Sequence, residues 1–241
     1  MKITNVQAKR NNQDFKISLN PWYQCRSHAL RTTPLAVMLI LLSAPTLTTQ
    51  STALAADSTS IPVPQPTAAQ MAAAGLNELP VAPKSKRVDL VAPAFPRVPS
   101  VTNPLFPIGK LESVVLNGVV DGKPFRTETT LMQETQILEW IPGQRVKVLV
   151  SQYTAYLDGR LQEVALDLYA QGDDGSVWYF GEEVSDYARG VIFTSEGTWR
   201  AGKDGPIAMI MPARPKVGNV HRAENIPGVV FEEVTIERTG V

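Results

Sequence analysis

The 241-residue sequence predicts an all-β fold, and three observations predict it. Runs rich in Val, Ile, Thr and aromatic residues recur along the chain. They are separated by Asp-Gly, Asp-Asp-Gly and Pro-Gly steps, which favour tight corners between antiparallel strands. No stretch after Pro104 shows sustained helical periodicity bounded by caps. The expected architecture is an antiparallel meander of roughly eight to ten strands with one face buried. It would form a curled sheet, a sandwich or a partly open barrel.

The clearest element is the stretch Tyr169 to Glu183. Leu166, Leu168 and Ala170 alternate with Asp167 and Tyr169, Asp173-Asp174-Gly175 makes a turn, and Val177 to Phe180 supplies β-branched and aromatic residues. This reads as a hairpin, with Trp178 and Phe180 on one face and Tyr179 on the other. Before it, Leu111 to Val120 and Phe125 to Leu131 form a hairpin about Asp121-Gly122. Ile137 to Ile141 runs into Pro142-Gly143, and Val146 to Tyr156 turns at Asp158-Gly159 into Leu161 to Ala170. After it come Val184 to Tyr187, a turn at Ala188-Arg189-Gly190, and Val191 to Glu196. A bend at Gly197 to Gly202, an apolar run Ile207 to Met211, and the strands Val220 to Glu224 and Val229 to Arg238 complete the order.

Two stretches precede this domain. Residues 1–55 read as an export signal: Lys2, Lys9, Arg10, Lys16, Arg26 and Arg31 face a single acid, Asp14, ahead of an apolar core from Leu35 to Leu42. Small residues ending Ala53-Leu54-Ala55 fit cleavage before Ala56. The apolar run is short of the about 20 residues that a spanning helix needs. Residues 56–103 turn to Pro, Ala, Ser, Thr and Val, and the closely spaced prolines predict an extended, disordered tether. One short helix is expected in it, with Thr67 as cap, Ala68 to Ala74 as body and Gly75 as stop. Residues 104–241 form the expected globular domain.

Composition excludes several chemistries. Cys25, the sole cysteine, would leave with the signal, so the exported chain has no disulfide, thiolate metal site or cysteine nucleophile. His28 leaves likewise and His221 remains as one imidazole, which is poor material for a triad or a tetrahedral zinc site and reads as an ordinary strand residue. From Pro104 onward 13 Lys and Arg stand against 19 Asp and Glu, a net charge of −6, which argues against a nucleic-acid partner.

The segment Leu168-Tyr169-Ala170-Gln171, the block Trp178-Tyr179-Phe180-Gly181-Glu182, and the later Met211-Pro212-Ala213 and Pro215-Lys216-Val217-Gly218 resemble an uncharacterised family of secreted bacterial proteins. The likeness spans about Asn103 to Gly228 and implies family membership without implying an activity. Gly172 stands where that family places an acid, and Asn219 where its second block ends in Asp. Its members run on for several strands past the position of Ile236, which implies that this chain lacks closing strands and carries an open sheet edge.

Candidate site residues come from the acids and rings of the central hairpin. Asp173, Asp174, Glu182 and Glu183 are candidates for Ca²⁺, which takes six to eight oxygen ligands, though Asp-Asp-Gly is also ordinary turn chemistry. Tyr169, Trp178, Tyr179 and Glu182 are candidates for a groove that stacks a sugar, with core packing as the alternative for the rings. One of Glu182 and Glu183 paired with Asp167, Glu163 or Glu196 would suit glycoside hydrolysis. No other cofactor is expected. The expected function is an exported, non-enzymatic β domain, periplasmic or extracellular, acting as an envelope-associated or ligand-binding module. Its partner would be a small molecule or an envelope polymer, and it would not be integral to the membrane once the signal is cleaved. The alternatives are a carboxylate-dependent hydrolase of extracellular or envelope polymer and a calcium-stabilised binding domain.

Overall fold

The computed structural model describes residues 2–9, 60–110 and 112–240. Its strands are β1 (Lys2–Lys9), β2 (Ile61–Pro62), β3 (Val91–Ala92), β4 (Ser113–Val120), β5 (Lys123–Ile141), β6 (Gln144–Leu157), β7 (Arg160–Gln171), β8 (Val177–Ala188), β9 (Val191–Thr194), β10 (Trp199–Arg200), β11 (Ala208–Met211), β12 (Val220–Ile226) and β13 (Val230–Arg238). The single α-helix among the described residues is α1 (Ala68–Ala73). The protein is all-β, with antiparallel pairing between every pair of neighbouring strands.

The main sheet has the open order β10-β8-β7-β6-β5-β4, with β9 and β11 also paired to β8, so it does not close into a barrel. A smaller sheet has the order β1-β13-β12, and β2 pairs with β3. Expected runs merge in two places. Phe125–Leu131 and Ile137–Ile141 become the 19-residue β5, which crosses its middle with a register shift against β6. Val177–Phe180 and Val184–Tyr187 become one β8 that passes through Gly181.

The turns follow their residue chemistry. Asp121-Gly122, Asp158-Gly159 and Arg189-Gly190 each place two successive residues at positive φ, the backbone of a type I′ hairpin turn that matches strand twist. Because the strands alternate in direction, these three turns lie at one end of the main sheet. Thr67 caps α1 with a reciprocal bond to Gln70, and Gly75 follows at φ 71°, as its sequence predicts.

The Pro-rich stretch departs from expectation, because it is packed on the sheets rather than left as a disordered tether. Val63, Leu76, Ala92 and Val101 are buried, and Phe95 sets its ring edge-on to Trp140, Trp178 and Phe180 at 6.3, 6.5 and 5.2 Å. Proline prevents helix and ladder, yet it leaves the apolar residues between prolines free to pack. Side-chain acceptors meet the irregular backbone: Gln171 Oε1 takes the Thr102 and Asn103 N–H groups, and Glu233 Oε1 takes that of Ala82.

The edge that the family resemblance implied to be open is also different. β1 runs along β13 from Lys2 opposite Arg238 to Lys9 opposite Val230. The apolar core and cleavage region of the expected signal lie outside the described residues, and among the described residues no helix is long and apolar enough to cross a membrane. A chain cut before Ala56 would keep β12 and β13 and present that edge of β13 unpaired.

Candidate functional site

The residues that could carry chemistry gather on one face of β6, β7 and β8. Ser151 is opposite Asp167, Asp167 is opposite Glu182, and Tyr169 is opposite Tyr179. Between Tyr179 and Gly181 the register slips, leaving Phe180 without an opposite residue on β7. Strict alternation would send Tyr179 and Glu182, three residues apart, to opposite faces; this bulge returns them to the same one. Phe180 and Trp178 meet Phe95 on the other face. Tyr179 stacks on Tyr169 at 4.9 Å with rings 17° apart and meets the edge of Trp199.

The Tyr179 hydroxyl lies 2.6 Å from Asp167 Oδ1 and 3.1 Å from Glu182 Oε2. A phenol has one proton to donate. The shorter contact takes most of that donation and Glu182 accepts the weaker share. Burial, followed by the charges of Glu224, Asp167 and Glu163, pushes the Glu182 carboxyl well above its ordinary range. Burial also raises Asp167 to about 6, against the opposing bonds from Tyr179 and Tyr169. Burial holds the Tyr179 and Tyr153 phenols protonated, with the nearby carboxylates acting in the same sense.

A carboxyl whose folded pKa lies above its unfolded one favours the fold when protonated. The Asp167 contribution is therefore full below about pH 4 and is lost as pH rises through about 6. Asp167→Asn keeps an oxygen for the Tyr179 hydroxyl and removes the charge. We expect its thermal midpoint to gain on the parent between pH 5 and pH 8, with Glu182→Gln showing the same trend. Parallel midpoint-against-pH curves for parent and both variants would overturn this assignment.

The remaining candidates do not join the cluster. Asp174 Oδ1 accepts from the Ser176 N–H and hydroxyl and so serves the turn, and the Asp173 backbone N–H bonds the Ala94 carbonyl, tying the turn to the Pro-rich stretch. Glu183 is on the opposite face from Glu182, paired with Arg200. The four acids weighed for Ca²⁺ thus sit in three places, and among the described residues no group of three or more His, Asp or Glu has the geometry to hold a metal ion. Trp178 is fully buried with its indole N–H on Ser176 Oγ, and Tyr169 and Tyr179 are buried as well, so these rings build core rather than an open groove. His221 is buried in β12, where desolvation lowers its pKa to about 4 and keeps it neutral.

A concavity among the described residues lies elsewhere. An open depression of about 370 Å³ is lined by Pro64, Trp140, Ile141, Pro142 and residues 202–206. It shares no residue with the acid cluster, and Asp204 is the one carboxylate in its lining. In comparisons with known proteins, no family model, curated protein or solved structure matches the chain.

Sequence reasoning left Asp167 or Tyr169 across from Glu182 or Glu183, of which the structure sets Asp167 opposite Glu182, and it missed Glu224, Tyr153 and Ser151 as their neighbours. Ser151 and Tyr153 alternate along β6 in step with Asp167 on β7, so hairpin register was a usable signal for them. Glu224 reaches the cluster from β12 in the other sheet, and no local pattern announces that approach.

Proposed function

We propose that this chain is an exported, non-enzymatic β domain that serves as an envelope-associated or ligand-binding module. One observation carries the reading: the carboxylates and the concave surface are in different places. The acids bond phenols inside the sheet, and the depression offers a substrate one acid where hydrolysis through carboxylates uses two.

A second reading, a carboxylate-dependent hydrolase, draws on Asp167 and Glu182 coming from different strands with raised pKa values. Incubating the purified chain with cell-wall polymer and soluble polysaccharides separates the two, with release of reducing ends as the measure. We expect no turnover, together with retention of the chain on a washed envelope fraction. Turnover that disappears in Glu182→Gln or Asp167→Asn would establish the hydrolase, and absence of retention would remove the envelope reading.

A further inference from the structure

A sheet edge is protected from stray pairing by shortness, charge, proline, a bulge or a covering segment. Among the described residues, three of the four margins of the two larger sheets have such protection. β1 has a lysine at each end, Lys2 and Lys9. β12 is met by the Pro-rich stretch, through the Val88 N–H on the Val220 carbonyl and the Arg222 N–H on Asp89. Beyond β8 lie β9, β10 and β11, of four, two and four residues. The fourth margin is β4, eight residues long, and no described strand pairs with its outer side.

β4 has none of these devices. Its sequence, Ser-Val-Val-Leu-Asn-Gly-Val-Val, contains no charge and no proline. It pairs with β5 from Ser113 opposite Thr130 to Val120 opposite Lys123 without a register shift, whereas β5–β6, β6–β7 and β7–β8 each slip. Val115 and Val119 are 45 and 71 % exposed. The result is a long, regular, apolar edge whose outward N–H and C=O groups are set to pair with another strand.

The residues of β4 indicate which strand. A strand paired antiparallel with its own copy is related to it by a two-fold axis, so residues of like parity stand opposite one another. An axis at Leu116 would set Val115 opposite Asn117 and Val119 opposite Ser113. An axis at Asn117 sets Val115 opposite Val119 twice over, which covers both exposed valines. The same register sets Leu116 opposite Gly118, where a Cβ would meet nothing within 4 Å. Charge does not oppose this pairing. In the next row Arg126 and Glu128 bond one another at 2.6 Å, and Lys110, Glu112, Asp121 and Lys123 beyond the ends of β4 sum to zero.

We propose that β4 is a self-association edge, which pairs antiparallel with β4 of a second copy about an axis at Asn117 and joins the two main sheets into one. The proposal is independent of the envelope reading. Sedimentation velocity of the full chain over a range of concentrations should show a monomer–dimer equilibrium that ends at the dimer. Asn117→Lys and Asn117→Glu each set like charges opposite one another at the axis, and each alone should raise the dissociation constant about fivefold or more. Because Asn117 is exposed, their thermal midpoints should match the parent's at concentrations where the parent is monomeric. Mixing the two variants should restore dimers, now as one-to-one pairs. A parent that is monomeric at every concentration, association that runs past the dimer, or a mixture no tighter than the separate variants would overturn the proposal. So would a monomeric parent whose retention on the envelope fraction is abolished by Asn117→Lys, a result that assigns the edge to an envelope partner.

Discussion

Asp89→Ala is expected to destabilise the fold by about 3–5 kcal/mol, the usual cost of leaving a buried charge without its partner. Asp89 is 3 % exposed. It accepts from Arg87 Nε at 2.6 Å and Nη2 at 2.5 Å, and from the Arg222 backbone N–H at 2.8 Å. Glu233 lies 3.5 Å from Arg222 Nε and 3.9 Å from Arg87 Nη1, Gln65 Oε1 accepts from Arg87 Nη2 and Arg222 Nη1, and Asn225 Oδ1 accepts from Arg222 Nη1. Two cations and two anions balance while desolvated, and removing one anion leaves two guanidiniums on one carboxylate. The network ties the Pro-rich segment to β12 and β13, so its loss frees a strap as well as a charge. Urea denaturation measures the effect, and Asp89→Asn, which keeps an acceptor for the Arg222 N–H, should lose less. A loss below about 1 kcal/mol would place this cluster with exposed ion pairs, whose contribution is that small.

Gly181→Ala is expected to cost at least about 3 kcal/mol, because strain and overpacking coincide there. Gly181 has φ 134°, where L side chains are rare, and a Cβ built on it would lie 2.3 Å from the Trp199 carbonyl oxygen and 2.9 Å from the Arg200 Cα. Both atoms are backbone of β10, held in place by the Ala201 N–H on the Phe180 carbonyl. A shift of β10 would therefore disturb the bulge that aligns Tyr179 with Glu182. Gly159→Ala is the control. Its φ is 70°, but nothing lies within 4 Å of the added carbon, so roughly 1 kcal/mol of backbone strain is expected. Thermal unfolding of the pair reads the difference, and equal losses would show that the close approach to β10 is unimportant.

The hairpins were legible because their information is local. Asp121-Gly122, Asp158-Gly159 and Pro142-Gly143 stand at corners whose backbone those residues adopt easily, and the Thr67–Gln70 cap closes within four residues. The same ladder logic brought Asp167 or Tyr169 across from Glu182 or Glu183 without choosing between them, and the bulged register made the choice. The bulge at Phe180 and Gly181 was not legible, because a register slip depends on how β10 and β11 load the far side of β8.

The sequence by itself determined the strand corners and the placement of Trp178 and Phe180 on one face of their strand. Tertiary structure decided that Trp178, Tyr169 and Tyr179 are core rather than groove, and that Glu224 crosses from the second sheet to raise the Glu182 carboxyl. It also decided that the prolines lie along a packed strap held by Arg87 and Asp89. The physical reason is the same in each case. Turn preference and alternation act between residues a few positions apart, whereas burial and desolvation depend on which distant surface arrives, and a proline-punctuated chain carries no periodic pattern to announce it.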